Sequence, residues 1–108
     1  MSPSVELRAF RGSRRSSVYR SHIVTRQVLE QIVGAARAGG LPTLGSLDAA
    51  RQQELDKRES RRLAEEASQL RTSAALLELD DDLTAVAEIA NWCARAAERS
   101  WLRIQRHA

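Results

Sequence analysis

Residues 82–106 read DLTAVAEIANWCARAAERSWLRIQR, and whether this stretch forms one helix decides the fold. Placed 100° apart, Leu83, Val86, Ala90, Cys93, Ala97, Trp101 and Ile104 make a stripe at alternating three- and four-residue spacing, the seam of a helix packed on a neighbour. Ala85, Ile89, Trp92 and Ala96 form a second apolar strip beside it, and Glu88, Asn91, Arg95, Glu98, Arg99 and Arg106 fill the polar arc. Asp80, Asp81 and Asp82 precede the stretch, while Arg99, Arg103, Arg106 and His107 close it, so both ends complement a helix dipole. The pattern predicts a helix over 82–106. On such a helix Trp92 and Trp101, nine residues apart, point in opposite directions, and one neighbour cannot bury both.

Working toward the N-terminus, Leu63, Ala67, Leu70, Ala74 and Leu77 keep a four-three spacing and predict the facing helix, taken as 46–77 with Ser46 as its start. Its first half is odd: eight of the twelve residues Arg51–Arg62 are charged and Leu55 alone is apolar, so that half reads as solvated helix held by pairs such as Glu54–Arg58. Before it, GGLPTLG at 39–45 is a linker whose Leu41 and Leu44 fold back onto apolar surface. Val24, Val28, Leu29, Ile32, Val33 and Ala36 predict a first helix over 22–38, capped by Ser21 and stopped by Gly39 and Gly40. Residues 1–20 show no sustained period and read as a flexible basic arm. The expected fold is therefore all-α: a three-helix bundle, or a long coiled-coil-like helical hairpin plus one N-terminal helix, formed by one domain over 21–108.

Composition agrees with a small helical domain. The chain has 108 residues, 43% of them hydrophobic and 29% charged, with 5 Gly, 2 Pro and 1 Cys. Too few turn residues are present for a Gly- and Pro-punctuated all-β chain, and one cysteine excludes an internal disulfide. No apolar run approaches a membrane span, and a cytoplasmic setting is expected. The formal net charge of +3 is concentrated: residues 1–22 carry five Arg and one Glu, whereas residues 78–108 carry four Arg against six acids.

No catalytic residue, metal ligand, cofactor or small-molecule substrate is expected. His22 and His107 lie outside any motif, Cys93 falls on the inner stripe, and neither a phosphate-gripping Gly loop nor a His- or Glu-based metal spacing occurs. The expected function is a non-enzymatic interaction module, an adaptor, inhibitor or regulatory subunit. It would dock helix on helix with another protein or with its own copy, through Ile89, Trp92 and Ala96 and with Arg95 and Arg99 at the rim. The alternative is nucleic-acid or other polyanion binding by Arg8, Arg11, Arg14, Arg15 and Arg20, interleaved with Phe10 and Tyr19.

Overall fold

The computed structural model describes residues 3–11, 18–48, 50–72, 78–96 and 99–107. The fold is α+β. Strand β1 (Ser4–Arg11) and strand β2 (Val18–Thr25) are followed by helices α1 (Arg26–Ala38) and α2 (Pro42–Gly45), strand β3 (Gln53–Leu55), helices α3 (Lys57–Arg71) and α4 (Asp80–Arg95), and strand β4 (Ser100–His107). The strands make one antiparallel sheet in the order β2-β1-β4-β3, with helices against one face. The all-α, bundle and coiled-coil expectation is thereby overturned.

Three misreadings have physical causes. First, residues 82–106 are not one helix: α4 ends at Arg95, and 100–107 is an inner strand of the sheet. Neither Gly nor Pro marks the break. The helix is closed from outside its own sequence, by the Ser100 hydroxyl donating to the Cys93 carbonyl at 2.6 Å and by the Lys57 ammonium donating to the Ala96 carbonyl. Trp101, Arg103 and Gln105 then alternate with the buried Leu102 and Ile104, a period of two that a helical wheel also accommodates. Ala97, assigned to the seam, lies outside the described residues.

Second, the basic arm contains the sheet's other inner strand. Val5, Leu7 and Ala9 of β1 face the core while Glu6, Arg8 and Phe10 face away. The period is masked in sequence because Ala9 is small and the outward face carries both charge and an aromatic ring. β1 pairs with β2 from Ser4↔Thr25 to Ala9↔Arg20, then shifts to Phe10↔Val18, a bulge that places one extra β2 residue in the ladder. Val24, read as helical, is a strand residue opposite Val5. Helix α1 starts instead after Thr25, whose hydroxyl accepts from the Val28 amide at 3.1 Å. Its end is as expected: Gly39 closes it, and Gly40 adopts φ 72°.

Third, the charged stretch 51–62 is not the first half of a helix. Gln53–Leu55 pairs with β4, and α3 begins at an Asp56 cap whose carboxylate accepts from the Glu59 amide while the Glu59 side chain accepts from the Asp56 amide. The expected stripe of α3 is present in Leu63, Ala67 and Leu70; Ala74 and Leu77 lie outside the described residues. Leu41 and Leu44 fold back into the core as the linker reading expects, and Leu47, assigned to the second helix, joins them there from a non-helical segment.

The wide apolar arc of α4 also finds its explanation. The helix packs on α3 and lies over β1 and β2, so one strip meets a helix and the other meets a sheet. The second neighbour demanded by the sequence is the sheet rather than a third helix.

Candidate functional site at the hairpin end

The ends of β1 and α4 and the starts of β2 and β4 lie together, because Ala9 pairs with Arg20 and Arg11 pairs with Ser100. On the helical side, Arg20, Glu88, Asn91, Trp92, Arg95 and Ala96 line a shallow concavity of about 330 Å³. Trp92 is half-buried, its ring packed against the core, whereas Arg20 and Arg95 are exposed. Among the described residues neither guanidinium has a carboxylate partner, although Glu88 stands one helical turn from the indole. An indole wall with two unpaired guanidiniums suits an anionic group joined to an apolar one.

The residues expected to bind a partner are only partly gathered here. Trp92, Arg95 and Ala96 are together. Ile89 is not, for it is 4% exposed and belongs to the core beneath α4. Arg99 is exposed but lines a different cleft of about 420 Å³, across β4, with Glu54, Asp56, Glu59 and Trp101. The carboxylates of that cleft are already engaged: Glu54 pairs with Arg103 at 3.3 Å, and Asp56 and Glu59 form the α3 capping box.

The arginines expected to hold a polyanion are divided by the sheet. Arg20 is on the helical side with Ala9, whereas Arg8 projects from the opposite face and pairs with Glu6 at 3.2 Å. Arg11 is exposed at the end of β1, and Arg14 and Arg15 lie outside the described residues. A single basic arm has become two sheet faces and a strand end.

The face away from the helices holds a ladder that the sequence reading missed. Phe10 and Trp101 are register partners and stack with ring centroids 5.2 Å apart and planes 5° from parallel. The Arg103 guanidinium lies 4.8 Å from the Phe10 ring centroid, and Gln105 donates to Glu6 at 3.3 Å. Phe10 is 1% exposed although, among the described residues, the helices pack on the other face. Trp101 and Arg103 of β4 lie against its ring, and Arg8 and Arg103 on this face pair with Glu6 and Glu54. The signal was the alternation Trp101-Leu102-Arg103-Ile104-Gln105, visible only if 82–106 is not assumed to be one helix.

Chemistry elsewhere is muted. Cys93 is fully buried and burial pushes its thiol up to about 12, so it remains protonated and unreactive at neutral pH. His22, half-buried on β2, contacts the Asp82 carboxylate at 3.2 Å. Among the described residues no group of three or more His, Cys, Asp or Glu could hold a metal ion, and no helix is long and apolar enough to cross a membrane. No family model, no curated protein and no solved structure significantly matches the chain.

Proposed function

We propose that the chain is a non-enzymatic protein-interaction module, an adaptor, inhibitor or regulatory subunit, whose working surface is the hairpin-end concavity. The observation that carries this reading is the pair Arg20 and Arg95, contributed by two elements, flanking the half-buried Trp92. A partner segment bearing a carboxylate next to an apolar side chain matches it: the guanidiniums take the charge in forked hydrogen bonds, and the indole supplies the kind of rigid anchor that dominates interface energetics. Docking along the Ile89 strip is replaced by docking at the helix end, because Ile89 is already buried in the core. A cytoplasmic setting accords with a single free thiol kept in the core.

The test is an NMR titration with short Glu- and Leu-containing peptides. The Trp92 indole N–H should shift on titration, and Arg20→Ala with Arg95→Ala should weaken binding by about tenfold or more. Equal response to a Lys- and Leu-containing peptide, or shifts confined to other faces, defeats the reading.

A second reading has its own observation. Arg11, Arg20, Arg95 and Arg99 are all exposed at this end of the sheet. Binding of a single-stranded oligonucleotide that falls steeply with salt, and that weakens in the same arginine variants, would favour a polyanion partner over an acidic peptide.

A further inference from the structure

The fold sorts charges that are mixed in the sequence. Residues 51–62 carry five basic and three acidic side chains, and none of the three carboxylates meets an arginine of α3. Glu54 lies on β3 and holds Arg103 of the neighbouring strand at 3.3 Å, so the expected Glu54–Arg58 pair does not form. Asp56 and Glu59 each accept from the other's main-chain amide in the capping box. Further along α3, Glu66 is turned inward onto the Thr43 and Leu44 amides. Backbone donors thus hold carboxylates that an isolated helix would direct to its arginines.

A basic stripe is left on the surface. Arg58, Arg61 and Arg62 stand at i, i+3 and i+4, all exposed on one face of the first turns of α3. Among the described residues none of the three has an ion pair or a side-chain hydrogen bond. Glu65, the one exposed carboxylate of α3, pairs with none of them. We propose that this stripe binds the phosphate backbone of double-stranded nucleic acid, the guanidiniums donating forked hydrogen bonds to phosphate oxygens.

Charge complementarity selects phosphate, and the rest of the helix selects the duplex. Every apolar side chain of α3, namely Leu63, Ala64, Ala67 and Leu70, is buried, so the helix offers nothing to insert into an anionic membrane surface. It carries no aromatic ring on which an unpaired base could stack, which leaves backbone charge rather than exposed bases as the feature read. Arg58 to Arg62 spans about 6 Å along the axis at about 1.5 Å per residue, a length over which a duplex presents about three or four phosphates. Three such contacts describe a weak, sequence-independent and salt-sensitive site.

The stripe is separate from the Trp92 concavity, and so are its readouts. Fluorescence anisotropy of a short labelled DNA duplex should show affinity falling about fortyfold between about 50 and 200 mM salt, as about 0.9 counterion released per contact requires. Arg58→Gln, Arg61→Gln and Arg62→Gln together should weaken binding by about tenfold or more and flatten the salt dependence. The thermal midpoint should stay at its wild-type value, because these side chains have no partner to lose. Glu65→Gln should tighten binding by removing the carboxylate beside the stripe. Arg20→Ala with Arg95→Ala, the variants that test peptide binding, should leave duplex affinity within about twofold, since neither residue belongs to the stripe. A wild-type chain that does not bind the duplex at low salt, a triple variant that binds it like wild type, or a weaker Glu65→Gln overturns the proposal. So does a triple-variant effect as large on a single strand, or on phosphatidylserine vesicles, as on the duplex.

Discussion

At the scale of single residues, Phe10 shows how a side chain can be buried on the sheet face away from the described helices. Its ring is flanked by Trp101 and Arg103 on the neighbouring strand, so truncation removes a stack and a cation contact together and opens the ladder. Phe10→Ala should cost about 3–5 kcal/mol, within the range for large aromatic truncations in cores. A double-mutant cycle with Trp101→Ala should return a coupling of about 0.5–1.5 kcal/mol. Urea unfolding of the four proteins measures both, and additive losses would mean that the rings stack without stabilising each other. Cys93 provides a second expectation. Its thiol is held near 12 in the folded chain against an ordinary 9.0, so the folded state retains a proton that the unfolded state loses between those values. The stabilising contribution of the neutral thiol is complete below pH 9 and declines as pH rises toward 12. At pH 8 a thiol reagent should therefore modify Cys93 only as fast as the chain opens, with full reactivity in denaturant. The burial of Cys93 was legible in the sequence, because its place on the Leu83–Ala90 stripe survives whether or not the helix continues past Arg95.

At the scale of elements, the legible features were those encoded within one element, and the illegible ones depended on contacts from a distance. Leu29, Ile32 and Ala36 mark one face of α1, and Leu63, Ala67 and Leu70 mark one face of α3, wherever those helices pack. The end of α4 was hidden because its stop signals, Ser100 and Lys57, lie outside the helix, the latter at the first residue of α3. The strands were hidden because arginines on their outward face imitate a solvated helix or an arm. Glu66 belongs to the same class: a charged residue in a packing helix is ordinarily a surface residue, yet here it is buried and accepts from the Thr43 and Leu44 amides at 3.2 and 2.8 Å. It caps the α2 turn from across the fold. Glu66→Ala leaves two amides without an acceptor and should cost about 2 kcal/mol or more, while Glu66→Gln, which keeps one acceptor, should recover part of the loss. Thermal unfolding of the two variants checks the order. Equal losses would show that packing volume, rather than the hydrogen bonds, holds the α2 turn.

At the scale of the whole molecule, the N-terminal segment decides whether there is a fold at all. β1 lies between β2 and β4, and its Val5, Leu7 and Ala9 are at most 1% exposed beneath the helices. Reading residues 1–20 as an appendage implies that deletion removes a ligand-binding tail and leaves an intact body. The sheet order implies the opposite. Without β1, strands β2 and β4 have no common neighbour, α4 loses the surface that covers its second apolar strip, and Ile89 and Trp92 are left to solvent. Burial of three apolar side chains of β1 is worth several kcal/mol at about 25 cal/mol per Å² of apolar surface, a large part of the 5–15 kcal/mol that typically holds a domain folded. A chain lacking residues 1–11 should therefore lose cooperative thermal unfolding and dispersed amide resonances. Adding a synthetic peptide of residues 1–11 should restore them in part, because the ladder on both sides of β1 is specified by register and by an alternating buried face. A truncated chain that unfolds cooperatively near the wild-type midpoint would remove β1 from the core and return the basic segment to the role of an arm.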